Sequence, residues 1–208
     1  MQNSNVKKVQ KDSILKMTQL AILAALVVVF QLVGGLIPMA GTSLCVVMIP
    51  ITIGAIMFGP KGGAFLGFVF GIVTIGYGFG ADLLTTVFMQ NQPIVTITIC
   101  LGKALAAGIG AGFAYNLLSK YNKLFATFVA ATVAPLLNTG IFIAGSLLLI
   151  TDTTYNTFFG QAEISGMTAT YLIVFLCAGV KSVGELGLNV FVAPAMRTIV
   201  KAITKENK

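Results

Sequence analysis

Apolar runs fill most of this chain, and nearly all of its basic residues sit at one set of their ends. Blocks rich in Leu, Ile, Val, Phe, Ala and Gly cover about residues 14–36, 45–58, 62–79, 93–118, 124–150 and 166–199. A helix needs about 20 such residues to cross a hydrocarbon core of about 30 Å, and the longer blocks meet or approach that length. Lys7, Lys8, Lys11 and Lys16 precede or open the first block, and Lys61 lies between the second and third. Lys120 and Lys123 separate the fourth and fifth, and Arg197, Lys201, Lys205 and Lys208 end or follow the sixth. These are 11 of the 13 basic residues, whereas the alternate connections (37–44, 80–92 and 151–165) carry Asp82, Asp152 and Glu163 and no Lys or Arg. The positive-inside rule then predicts an all-α integral membrane protein of six transmembrane helices with both termini cytoplasmic. Residues 1–13 and 201–208 read as cytoplasmic tails, and 14–200 as one membrane domain.

Composition agrees. Of 208 residues, 57% are hydrophobic and 9% charged, with mean hydropathy +0.96; a soluble domain carries about 25% charged residues. The net charge of +7 follows from the one-sided lysines, so no nucleic-acid partner is needed, and anionic lipid on the cytoplasmic face is the natural counterpart. Cys45, Cys100 and Cys177 are widely spaced in apolar surroundings and read as small hydrophobes. With no His and few carboxylates, the chain offers neither a His-dependent protease nor a His-containing zinc site, and no metal or cofactor is expected. The second block is short and contains Pro50, so a kinked or partly broken helix is expected there.

Small residues recur every fourth position: Gly63, Gly67 and Gly71 in the third block, Ala104, Gly108 and Gly112 in the fourth, and Ala21 and Ala25, with Ala24 beside them, in the first. That spacing lets backbones approach closely in lipid. Packing within the bundle is the expected use, a dimer or sliding face the alternative.

Four polar side chains fall deep in the blocks: Lys103, Asn138, Lys181 and Glu185. A Lys or Asp at a membrane helix centre costs about 2.5–3.5 kcal/mol on insertion scales and needs a partner or a ligand. Lys181 and Glu185 are four residues apart and can pair along one helix face. Lys103 then has no carboxylate of its own, and it is either held neutral or held against an anionic ligand; the second reading is preferred. Gln90, Asn91 and Gln92 cluster at the outer mouth of the fourth block, Gln31 lies in the outer half of the first, and Tyr155, Phe158 and Phe159 belong to an outer segment able to act as a lid. These groups serve either as interfacial anchors or as the lining of a well open to the outside. Scarce aromatics disfavour a large flat ring. A small polar solute fits better, its carboxylate held by lysine and its hydroxyl or amide groups read by amides.

Several segments resemble a known family. They are Ala21-x-x-x-Ala25, the stretch Pro50-Ile-Thr-Ile-Gly-Ala-Ile-Met-Phe-Gly-Pro60 with the glycine series to Gly71, Ala-Pro-Leu-Leu-Asn138-Thr-Gly, and Gly184-Glu185-Leu-x-x-Asn189-x-x-x-x-Pro194. Together they are similar to the substrate-binding (S) components of energy-coupling-factor (ECF) vitamin transporters, over about residues 14–200, and most like the pantothenate-type branch. The resemblance implies a non-catalytic subunit of a bacterial cell membrane that binds a vitamin with high affinity. It also implies a transmembrane scaffold (T) subunit and two cytoplasmic ATPases as partners, with Ala21 and Ala25 docking on the scaffold. The substrate-binding residues expected are Lys103, Asn138, Lys181, Glu185, Gln92, Asn91 and Gln31. Pantothenate, a hydroxylated amide with one carboxylate, suits them; riboflavin, thiamine, folate, cobalamin or another small solute stay open. The chain has no phosphate loop ending in Gly-Lys-Ser/Thr, so ATP is expected to be hydrolysed by partners. The alternatives are a stand-alone secondary transporter coupled through Glu185 and an intramembrane enzyme using Ser182 and Lys181, although adjacent helical positions diverge by about 100°.

Overall fold

A computed structural model of the protein describes residues 2–35, 38–39, 42–43, 46–77, 83–149 and 180–204. Among them are six helices: α1 (Gln2–Gly35), α2 (Met48–Tyr77), α3 (Leu83–Asn91), α4 (Pro93–Leu118), α5 (Lys123–Leu149) and α6 (Val180–Thr204). A two-residue antiparallel ladder, β1 (Pro38–Met39) on β2 (Thr42–Ser43), follows α1. Five helices are long and apolar enough to cross a membrane: Ser13–Gly34, Met48–Gly76, Pro93–Leu118, Lys123–Leu147 and Ser182–Thr204. Large apolar side chains face outward on them, Phe191 at 83% exposure and Ile94 at 80%. Surfaces of this kind belong in lipid, and the chain is an all-α multi-pass membrane protein.

The expected second and third blocks are the two arms of α2, which reverses direction at Gly59 between them. Gly59 has φ 71° and ψ −166°, a region open to glycine alone, and Pro60 after it starts a new helical segment with φ already set. A Cβ on Gly54 would strike the Leu66 side chain, and one on Gly63 would meet the Ala55 Cβ at 3.0 Å, so residues 48–58 and 60–77 lie antiparallel. By the helical rise the two arms are about 16 and 27 Å long. The break thus falls at Gly59 and not at Pro50, which sits in the first turn of α2, where no intrahelical N–H partner is needed. A further departure is α3: nine residues of the expected 80–92 connection are helical, burying Thr85, Val87, Phe88 and Met89.

The second arm of α2 packs on α4 with almost no side chain between them. A Cβ on Gly63 would strike the Gly108 carbonyl oxygen, one on Gly108 the Gly63 oxygen, and one on Gly67 the Ala104 oxygen. One on Gly112 would come within 2.6 Å of the Pro60 nitrogen. The glycine series is therefore intramolecular packing, as expected, and close dispersion contact is what holds helices together in lipid. On its other flank α4 packs on α5, and α5 on α6; α1 packs on α2. Asn122 caps α5, its Oδ1 accepting from the Leu124 and Phe125 N–H groups at 2.9 and 3.1 Å.

One end of the bundle gathers the basic residues. Gly59 lies beside Asn116 near the α4 terminus, next to the exposed Lys120 and Lys123 of the α4–α5 connection. Leu15, Lys16 and Gln19 of α1, Met57 and Phe58 of α2, and Ile203 and Thr204 of α6 line a cleft of about 420 Å³ at that end. Lys61 and Lys201 are exposed there too. The expected lid at 151–165, the 166–179 part of the last block, Asp82, Cys45 and Cys177 lie outside the described residues.

Candidate functional site

Lys103, Asn138 and Asn189 occupy one level of the bundle. Each lies about 22 Å, by the helical rise, from the basic end of its helix: Leu118 of α4, Lys123 of α5 and Thr204 of α6. Lys103 is 6% exposed, Asn138 3% and Asn189 0%. Packing of α4 on α5 places Lys103 against the turn that follows Asn138. The Lys103 Nζ sits 4.3 Å from the centroid of the Phe142 ring, one helical turn from Asn138 on the same face of α5. Because α4 runs toward the basic end, its side chains lean the opposite way, which is how the Lys103 ammonium reaches Phe142. A cation over an aromatic face is worth about 0.5–2 kcal/mol, less than the about 2.5–3.5 kcal/mol cost of a lysine at this depth. The ring lowers the cost of the buried charge without cancelling it. Among the described residues no carboxylate forms an ion pair with Lys103.

The amides carry unused acceptors. Among the described residues, the Oδ1 atoms of Asn138 and Asn189 are buried and accept no hydrogen bond. Asn189 Nδ2 donates to the Glu185 carbonyl oxygen at 2.8 Å, a bond back to the preceding turn of its own helix. Glu185 is itself fully buried, and with Asn189, Ala193, Met196 and Val200 it forms the inner stripe of α6. Several buried hydroxyls in the bundle are satisfied locally. Thr74, Thr96 and Ser146 donate to the carbonyls of Phe70, Gln92 and Phe142 at 2.9, 2.8 and 2.7 Å. The asparagines stand apart from that pattern.

The remaining expected site residues scatter. Gln31 is buried on α1, whose packing partner is α2, one helix removed from α4. Asn91 and Gln92 are half-buried at the α3–α4 corner, where Gln92 precedes α4 without a side-chain cap and its N–H donates to the Phe88 oxygen at 2.8 Å; Gln90 is exposed. Lys181 lies in the first turn of α6 with its side chain outside the described set, so its pairing with Glu185 lies outside it too. Ala21 and Ala25 are on the exposed side of α1 beside Ile22, Leu26 and Val29. Phe142 and Asn189 were not among the expected site residues. Their signal was positional: Phe142 follows Asn138, and Asn189 follows Glu185, by one turn.

The site offers a buried cation, an aromatic face and free amide oxygens. No curated protein matches the sequence. Residues 15–197 match the family model described as "ECF transporter, substrate-specific component", which spans nearly all of the helical bundle, and the chain belongs to that family.

Proposed function

We propose that this S component captures a small carboxylate-bearing vitamin, with pantothenate the best fit, for ATP-driven uptake by an ECF complex. S components are non-catalytic binding subunits, and ECF transporters work with a T component and ATPase subunits. That role leaves the Ser182–Lys181 enzyme reading without support. The observation that carries the solute class is Lys103: a buried ammonium beside Phe142 and one turn from Asn138, with no carboxylate paired to it among the described residues. A carboxylate arriving from outside would complete that pair with a charge-assisted hydrogen bond in a medium where such bonds are strong. Gln92 and Asn91 at the α3–α4 corner, Gln31 on α1, and Lys181 and Glu185 in α6 are the second rank of the same site.

The basic end of the bundle supports placing both termini in the cytoplasm of a bacterial cell. Lys16, Lys61, Lys120, Lys123 and Lys201 gather there, while Lys103 lies in the opposite half, so the solute is taken from the outer side. Ala21 and Ala25, small and exposed on an apolar helix face, suit close docking of a scaffold helix.

The deciding experiment is mass spectrometry of the small molecule that co-purifies with the protein, followed by calorimetric titration against a vitamin panel. Pantothenate in the first and tight binding in the second are expected. A neutral or cationic solute in both would remove the carboxylate reading. Ion-gradient uptake by the protein alone in liposomes, without ATPases, would favour a carrier coupled through Glu185.

A further inference from the structure

We infer that Asn189 reads the solute, and reads it in one sense only: its amide oxygen accepts a hydrogen bond from a ligand O–H or N–H. The inference deepens the reading of the site proposed above and rests on it for the place of the solute. The sense follows from α6 itself. The Asn189 amide is anchored through its Nδ2, 2.8 Å from the Glu185 carbonyl oxygen. Reversing the amide would set its oxygen against that carbonyl, two acceptors face to face, so the orientation is fixed by chemistry. The Oδ1 that results is fully buried and accepts no hydrogen bond from the described residues. An unfilled buried acceptor carries its whole desolvation cost, and a residue held in that state without compensation would be a poor choice for packing alone. Asn138, at the same level on the neighbouring helix, has the same unfilled oxygen. A solute seated between Lys103 and these two amides meets one cation and two acceptors. Its recognisable class is therefore a monocarboxylate bearing at least two O–H or N–H donors. A plain aliphatic acid would satisfy Lys103 and leave both amide oxygens unfilled.

The test uses the purified full-length protein and two variants, Asn189→Leu and Asn189→Ala, so that one misfit does not decide the outcome. Binding is measured with pantothenate, with two analogues each lacking one of its hydroxyls, and with octanoate. Wild type should bind pantothenate at least tenfold more tightly than octanoate, and should lose about tenfold or more on removal of the donor that Asn189 accepts from. In the variants pantothenate should weaken by about the same factor, and the discrimination against that one analogue should vanish. Variants that still discriminate against both analogues as wild type does would overturn the inference. Melting of the ligand-free proteins gives an independent reading. Removing an unfilled acceptor should leave at least one variant melting no lower than wild type, whereas both melting lower would make Asn189 a structural residue and sink the idea. If wild type ignores pantothenate altogether, the proposed solute is wrong, and the melting comparison alone then decides whether Asn189 is a ligand group.

Discussion

Replacing Lys103 with Met separates ligand capture from folding. Methionine keeps most of the length and apolar volume of the lysine stem and removes only the ammonium group. In the empty protein Lys103 is 6% exposed and its Nζ lies 4.3 Å from the centroid of the Phe142 ring. Removing it gives up about 0.5–2 kcal/mol of cation–π attraction and relieves about 2.5–3.5 kcal/mol of burial cost. The empty variant should therefore melt no lower than wild type. In the bound protein the balance reverses, because the solute carboxylate would be left buried without its counter-charge. Truncating one partner of such a pair costs about 2–5 kcal/mol, which is roughly a 30- to 4,000-fold rise in Kd. Calorimetric titration of wild type and Lys103→Met with pantothenate and with its methyl ester completes a double-mutant cycle. The acid should lose affinity steeply in the variant and the ester hardly at all. An acid affinity within about threefold of wild type would refute carboxylate capture by Lys103. Equal loss for acid and ester would show that the substitution damages shape rather than charge pairing.

Other perturbations address the rest of the molecule. Leu in place of Ala21 or Ala25 should leave solute titration unchanged while uptake by the reconstituted complex falls several-fold, since both residues are exposed on α1; equal loss of both would indicate misfolding. Gly67→Val should destabilise by at least about 1–3 kcal/mol in a melt, because its Cβ would strike the Ala104 carbonyl. Gly140→Ala should be neutral or stabilising by about 0.5–1 kcal/mol, since nothing lies within 4 Å of a Cβ there. Cysteines placed at Lys61 and Lys120 should react with a membrane-impermeant maleimide only after the cytoplasmic side is opened, and one at Gln90 in intact cells; the reverse pattern would invert the topology.

What could be read from the chain follows the range of the forces involved. Apolar length and lysine placement are local properties, so α4 and α5 begin and end within a residue of the expected bounds. The α2 hairpin was legible in the Gly59-Pro60 pair, which marks a positive-φ residue before a helix start, whereas Pro50 misled because a proline in a first turn costs nothing. The nine-residue α3 is not legible in the chain because it is too short to span and ends in amides that read as a loop. Lys103 and Asn138 could be singled out by the cost of burying them. Their company could not: Phe142 meets Lys103 only because α4 and α5 pack in a particular register, set in part where a Cβ on Gly145 would meet Ile99 at 2.7 Å. Asn189 is hidden in the sequence for a similar reason. Beside Glu185 an amide looks like a supporting group, and only the direction of its hydrogen bond reveals the acceptor left over.

The polar groups are also distributed unevenly with respect to stiffness. The α2–α4 contact is made by backbone against backbone, with Gly63, Gly67, Gly108 and Gly112 leaving no side chain to rearrange, and close-packed contacts of that kind shift in discrete steps or not at all. The helices opposite each carry an internal proline. Pro135 lies three residues before Asn138 in α5, and Pro194 five after Asn189 in α6, each removing one rung of the helical ladder where bending is cheapest. Lys103 thus stands on the glycine-packed side of the bundle and the two amide acceptors on the proline-bearing helices. A solute bridging cation and amides would tie the halves together. Any partner that tilts α5 or α6 would draw the acceptors away from the solute while the ammonium stays in place, loosening the bound molecule without disturbing the glycine-packed contact that holds the fold.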